Sequence, residues 1–179
     1  MHQEIIFSGF GGQGALFAGQ LLAYAALDSG LEVTWIPSYG PEMRGGTAHC
    51  TVVVSDEPIG SPLVHRPAAV VALNLPSFEK YEPRVKPGGL MVYNASLIPA
   101  TPARSDIRYT AVPANDIAEE LGNVRQANVV LLGAYLAATG FLALGAVETA
   151  LDNHLSERQR RFLASNKEAL QRGAACTGN

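Results

Sequence analysis

Gly9, Gly11 and Gly14 stand at the spacing G-x-G-x-x-G, directly after the short β-branched run Glu4-Ile5-Ile6-Phe7. Glycines at this spacing permit a tight turn out of a strand, close approach of backbone N–H groups to a phosphate, and close packing of the next helix on the strand. A helix that starts there offers free amides and the positive end of its dipole to an anion. Gly12 adds a further N–H unshielded by a side chain, and Gln13 completes the turn as a candidate contact residue. The same glycines would also serve a crossover that binds nothing, so the spacing alone leaves both readings open.

A dinucleotide site needs an acidic residue at the end of the second strand to hold the ribose hydroxyls. Here that strand ends Trp35-Ile36-Pro37-Ser38-Tyr39, Glu32 stands at its start, and Glu42 falls in the next loop. The phosphate-binding pattern G-x-x-x-x-G-K-[ST] is absent, as is a cysteine pair for an activated carboxyl or a zinc ion. The second unusual segment is the loop Ser38-Tyr39-Gly40-Pro41-Glu42-Met43-Arg44-Gly45-Gly46-Thr47. Its Tyr39, Glu42 and Arg44 are candidates for contact with an anionic ligand or a partner, Arg44 through its planar donor fork. Equally, Glu42 and Arg44 could pair with each other. In a parallel sheet this loop should lie beside the glycine turn, on the ligand-binding edge.

Other reactive side chains do not assemble a site. Cys50 and His49 are neighbours in a strand, so they should point to opposite faces. His65 reads as a loop residue and His154 as a helix-surface residue. The cluster Arg158, Arg160, Arg161 reads as a solvated helix face or a contact for an acidic partner. Two cysteines and four scattered histidines give no metal-ligand or cluster spacing, and no Ser-His-Asp pattern is present.

The elements that would position these loops follow from periodicity. Strands are expected at Glu4–Phe7, Leu31–Ile36, Thr47–Val54, Ala68–Leu73, Leu90–Tyr93 and Ile107–Val112, the third antiparallel to its neighbours. A helix with one buried face should run from Leu16 to about Asp28, ending at Gly30. Together the first strand, helix and second strand read as one βαβ unit. Short helices are expected at Ser77–Tyr81 and, capped by Asn115 or Asp116, up to Leu121. Beyond them, Ala127–Ala138 and Leu144–Leu155 look helical, and Ser156-Glu157-Arg158-Gln159 opens a last helix carrying Phe162, Leu163 and Leu170 on one side. The apolar helices after Ala127 are a candidate inter-subunit surface. Thr177-Gly178-Asn179 is expected to be a mobile tail on a single domain spanning 1–179.

Composition agrees with one folded α/β domain. The 179 residues are 47% hydrophobic and 16% charged, with 13 basic against 16 acidic side chains and a formal net charge of −3. Mean hydropathy is +0.11 and the pI about 5.8. This is too apolar for a disordered chain and lacks the basic stripe of a nucleic-acid binder. The Ala127–Val147 stretch is interrupted by Asn128, Gly133, Thr139, Gly140 and Gly145, so it reads as buried helix, not a membrane span. Because Met1 leads straight into a strand without a signal-peptide pattern, a cytoplasmic chain is expected.

Read together, Ile6-Phe7-Ser8-Gly9-Phe10-Gly11-Gly12-Gln13-Gly14, Pro37 to Thr47 and Ser55-Asp56-Glu57-Pro58-Ile59-Gly60-Ser61-Pro62 resemble the gamma subunits of 2-oxoacid:ferredoxin oxidoreductases, most closely the 2-oxoglutarate type. Val85-Lys86-Pro87-Gly88-Gly89 and Asn94-Ala95-Ser96-Leu97-Ile98 extend the likeness, which covers roughly residues 3–140. The resemblance implies a Rossmann-like, mostly parallel sheet flanked by helices, with a helical C-terminal part. It also implies a role in anaerobic metabolism, within a complex that converts a 2-oxoacid and coenzyme A to acyl-CoA, CO2 and reduced ferredoxin. Thiamine diphosphate, Mg2+ and iron–sulfur clusters would reside in companion chains: alpha and beta subunits that bind thiamine, and a ferredoxin-like delta subunit. Ferredoxin would accept the electrons. No cofactor would be held by this chain, no family catalytic residue maps onto it, and the isolated chain could self-associate as a homodimer. The alternative is an independent NAD- or ATP-binding enzyme of Rossmann type.

Overall fold

A computed structural model describes residues 1–38, 47–99 and 101–177. All six expected strands are present: β1 (His2–Gly9), β2 (Glu32–Ser38), β3 (Ala48–Ser55), β4 (Ala69–Ala72), β5 (Leu90–Asn94) and β6 (Arg108–Val112). They form one sheet in the order β2-β3-β1-β4-β5-β6. Three neighbouring pairs, β1–β4, β4–β5 and β5–β6, are parallel, whereas β3 runs antiparallel to both β1 and β2. The sheet is therefore mostly parallel, and the expected antiparallel third strand is found.

The simple βαβ unit needs correction. β2 runs in the same direction as β1 but is not beside it, because β3 lies between them. A short connection favours antiparallel pairing, so β3 folds back on β2 as a hairpin and offers its other edge to β1. The helix α1 (Ala15–Asp28) makes the crossover and buries Ala15, Ala18, Leu22, Ala25 and Ala26.

Two apolar clusters sandwich the sheet. The larger gathers Ile5, Phe7, Cys50, Val52, Val71 and Val92 with α1, α3 (Ala114–Glu120), α4 (Ala127–Thr139), α5 (Leu144–His154) and α7 (Leu163–Ala175). On the opposite face, Ile6, Val70, Met91 and Tyr93 meet Phe78 and Tyr81 of α2 (Leu75–Tyr81) and Val85 beyond it. α3 starts two or three residues earlier than expected, after Pro113, with Asp116 in its first turn and no side-chain cap. Asn115 is not free to cap, because its Oδ1 accepts from Asn94 Nδ2 at 2.8 Å.

The helical end departs most from expectation. α4 is core, not an inter-subunit surface: every residue from Ala127 to Leu136 is buried. Among the described residues no helix is long and apolar enough to cross a membrane. The expected last helix is two, α6 (Glu157–Arg160) and α7, separated at Arg161 and Phe162. Gln159 Oε1 accepts from the Ser156 N–H at 3.1 Å and hydroxyl at 2.7 Å, closing α6 on itself, while Phe162 N–H bonds to the Gln159 carbonyl at 2.9 Å. After that break α7 turns Ala169 and Leu170 onto α4, and Phe162 stays exposed.

α4 and α7 touch backbone to backbone through a reciprocal pair of glycines. A methyl added at Gly133 would collide with the Leu170 carbonyl, and one at Gly173 with the Val130 carbonyl. Helix backbones cannot yield as a flexible side chain can. Gly133→Ala or Gly173→Ala should each lower unfolding free energy by about 2–3 kcal/mol or more, seen as a reduced urea midpoint. By contrast Gly145→Ala, in α5 with nothing near the added methyl, should be neutral or stabilising by up to about 1 kcal/mol.

Candidate functional site

The carboxyl ends of β1, β4, β5 and β6 share one edge of the sheet, where the glycine turn lies. The turn has a structural reason at three of its four glycines. Gly12 and Gly14 hold φ of +92° and +80°, the left-handed region that a side chain strains. At Gly9 a Cβ would press within 2.9 Å of Leu73 Cβ and Gln13 Oε1. Gly11 is exposed at the tip. Among the described residues, the N–H groups of Gly11, Gly12 and Gly14 have no hydrogen-bond acceptor, whereas Gln13 N–H is used on the Phe10 carbonyl at 3.1 Å.

Side-chain amides brace this edge, and sequence reasoning missed nearly all of them. Gln13 Oε1 accepts from Phe10 N–H at 2.7 Å and from Asn74 Nδ2 at 3.1 Å. Asn74 in turn caps α2, its Oδ1 accepting from Ser77 N–H at 2.9 Å. Asn94 Nδ2 donates to the Leu73 carbonyl at 3.3 Å as well as to Asn115. Asn128, in the first turn of α4, donates through Nδ2 to the Gly14 carbonyl at 2.9 Å. A short network thus ties the loops after β1, β4 and β5 to the starts of α3 and α4. The available signal was an asparagine directly after an apolar strand run, at Leu73-Asn74 and Tyr93-Asn94.

Two of these amides are incompletely satisfied. Asn94 Oδ1 and Asn128 Oδ1 are buried without a hydrogen-bond partner among the described residues. Each such acceptor costs about 1–3 kcal/mol when left without a donor, so each is open to a donor from water or a ligand. Two cavities open beside them. One of about 130 Å³ is lined by Gly12, Gln13, Asn94, Asn115 and Arg125. The other, about 570 Å³, runs past Gly12, Gly14, Asn128, Arg125 and Arg161. Free turn amides beside the Arg125 guanidinium make this edge suited to an anion.

Tyr39, Glu42 and Arg44 lie outside the described residues. Their loop does leave from the glycine-turn edge, since Ser38 pairs with His49 and His49 with Ser8. The intervening β3 corrects the expectation that it departs from the strand next to β1. Glu32 pairs with Ser55 at the opposite edge, far from any ribose held at the glycine turn.

His49 and Cys50 point to opposite faces, as expected. Cys50 is fully buried, with its Sγ 3.6 Å from the Ala15 carbonyl, and burial pushes its thiol up to about 12, so it is an inert packing residue. His49 lies 5.7 Å from the Tyr81 ring. Burial first, then the charges of Lys80 and Arg84, hold its imidazole below the ordinary value. Beneath it Ser8 donates to Ser77 Oγ at 2.9 Å. His65 is exposed, while His154 at the surface of α5 stacks on Tyr24 at 4.1 Å and meets Asp28 at 2.9 Å. Among the described residues no three His, Cys, Asp or Glu side chains lie close enough to hold a metal.

Comparison with known proteins gives a consistent likeness. The profile of the family described as pyruvate ferredoxin/flavodoxin oxidoreductase matches residues 4–176. The chain is 40% identical over 167 residues to the ketoisovalerate oxidoreductase subunit VorA of Methanothermobacter thermautotrophicus, covering 93% of this chain and 33% of that one. It thus spans about a third of the length of the first curated relatives it matches. With the 2-oxoglutarate synthase subunit KorC of Methanothermobacter marburgensis it shares 38% over 184 residues, covering 97% of this chain and 99% of the other. The crystal structure of the keto/oxoacid ferredoxin oxidoreductase gamma subunit from Geobacter sulfurreducens superposes with a TM-score of 0.84 at 32% identity, over 98% of both chains.

Two measurements check the account of the edge. Asn74→Ala removes the cap of α2 and one arm of the Gln13 brace, and should lower stability by about 1–2 kcal/mol in urea unfolding. For His49, the folded-state value lies below the unfolded 6.5. The unfolded chain therefore binds the proton more readily, and stability falls as pH drops below 6.5. Urea midpoints of His49→Gln should decline less steeply than those of the parent between pH 6.5 and 5; equal slopes would refute the assignment.

Proposed function

The chain belongs to the pyruvate ferredoxin/flavodoxin oxidoreductase family, and from that membership we propose that it acts as the gamma-type subunit of a 2-oxoacid:ferredoxin oxidoreductase. The observation that carries this reading is the match along nearly the whole of both chains with KorC and with the Geobacter gamma subunit. The complex would oxidatively decarboxylate a 2-oxoacid with coenzyme A, giving acyl-CoA, CO2 and reduced ferredoxin. KorC favours 2-oxoglutarate as the acid; VorA keeps the branched 3-methyl-2-oxobutanoate in view.

Such chemistry needs an electron sink and redox centres, which cofactors supply while protein chains orient and shield. Thiamine diphosphate with Mg2+ and the iron–sulfur clusters are assigned to the alpha, beta and ferredoxin-like delta companions, in a cytoplasmic, oxygen-free setting. Among the described residues no three His, Cys, Asp or Glu side chains lie close enough to hold a metal ion. Its share is to complete the assembly and wall the approach to the reacting centre. The glycine turn, with its free amides, is assigned to the anionic part of coenzyme A, with Gly9, Gly11, Gly12, Gln13 and Gly14 shaping the contact. Tyr39, Glu42 and Arg44 are proposed as further contacts from the neighbouring loop. The NAD-binding alternative lacks support, because the second strand has its only carboxylate, Glu32, at the far edge.

The test is isolation of the tagged chain from oxygen-free extract with whatever it holds, followed by ferredoxin reduction with 2-oxoglutarate, 3-methyl-2-oxobutanoate and pyruvate in turn. Thiamine-binding and cluster-binding companions should co-purify, and 2-oxoglutarate should turn over fastest with coenzyme A. A chain that isolates alone and binds NAD(H) or ATP at micromolar concentrations in calorimetry would overturn the reading.

A further inference from the structure

A second groove continues from the glycine turn along α1, away from the sheet edge. The 570 Å³ cavity beside Arg125 and Arg161 shares Phe17, Leu155 and Gln159 with another of about 280 Å³, which reaches Tyr24 and His154. The two form one channel between α1 on one side and the α5–α6 corner on the other. Its floor is apolar, from Phe17 and Leu155, and Phe162 is exposed at the end near the arginines.

The charge along this channel opposes that of the whole chain. The formal net charge is −3, yet Arg125 and Arg161 line one end of the channel and no carboxylate lines it, while His154 at the other end is paired with Asp28. Among the described residues neither Arg125 nor Arg161 has a salt-bridge partner. Arg161 instead lies over the Phe162 ring at 4.6 Å. A guanidinium held on an aromatic face keeps its donor edge available, and arginine with aromatic residues is the combination that anchors protein interfaces. Nearby Arg158 adds to the field, while Arg160 is committed to the Asp152 carbonyl at 3.1 Å.

We propose that this channel receives an acidic segment of a companion chain, its carboxylates on Arg125 and Arg161 and its apolar side chains over Phe17 and Leu155. The proposal rests on the chain's working within a complex. It adds the place and the chemistry of one contact. The channel's form favours a polypeptide over a small molecule. Small-ligand sites enclose most of their ligand, whereas two joined open cavities with cations at one end and an apolar floor suit a chain laid lengthwise.

The experiment uses the reconstituted complex. A photoreactive benzoylphenylalanine replaces Gln159, in the middle of the channel, and the cross-linked peptide is identified by mass spectrometry. The expected product is a companion segment rich in Asp and Glu. The double variant R125E/R161E should weaken assembly at least about tenfold and lose much of its salt dependence, while R125K/R161K keeps both close to the parent. Cross-linking to a neutral or basic segment overturns the proposal. So does unchanged assembly of R125E/R161E; in either case the complex still forms and the functional reading stands. If the parent chain recruits no companion at all, the functional reading fails, and this inference with it.

Discussion

The contact between Asn128 and the Gly14 carbonyl joins residues 114 positions apart at 2.9 Å, and the candidate edge depends on it. Gly14 tolerates this contact because it has no side chain: an added Cβ would collide with the Asn128 amide, and its φ of +80° is unfavourable to other residues. Asn128 reaches the turn because α4 is drawn inward until its backbone meets α7 at Gly133 and Gly173. The glycine turn is therefore not an autonomous motif. Its shape requires the helical end of the chain to be folded beneath it, and the two halves of the molecule become one cooperative unit through a few close approaches.

Much of the scaffold was legible because strands and the first helix have strong local signals. β-branched runs bounded by glycine or proline located all six strands, and the spacing of Leu22, Ala26 and their neighbours located α1. Sheet order was less legible. Nothing in the run Thr47 to Val54 says that it will stand between β1 and β2; that follows from a short hairpin connection competing successfully for the central edge. The break at Arg161 and Phe162 escaped notice because periodicity continues across it, and only the turn of the Phe162 N–H back onto the Gln159 carbonyl marks the end of α6. α4 misled for a related reason. An apolar helix with little amphipathic contrast can be a subunit surface or a buried core element, and the opposing glycine in α7 decides the matter 40 residues away.

The site divided in the same way. Gly9, Gly12 and Gly14 were visible as a pattern, but the amides that hold them were not, since single asparagines have no period. Asn74, Asn94, Asn115 and Asn128 become a set only when parallel strands bring their carboxyl ends together. Arg125 likewise follows a glycine turn at Gly122 and looks like an ordinary surface cation until the cavity beside Gly12 is seen.

The use of neutral amides for bracing has an electrostatic consequence. Carboxylates performing the same capping would place negative charge beside the free turn amides and compete for Arg125. Asparagine and glutamine satisfy the backbone without charge, and their hydrogen bonds do not vary with pH over the range in which carboxylates and imidazoles titrate. Among the described residues most ion pairs lie elsewhere, at Asp56 with the amino terminus, Arg104 with Asp106, Asp152 with Lys167 and Glu120 with Arg172, while His154 at the far end of the channel is paired with Asp28. Among the described residues an acidic protein thus leaves Arg125 and Arg161 without a carboxylate partner where the sheet edge meets the channel. That distribution, more than any single reactive side chain, gives the chain a face on which an anionic group can settle.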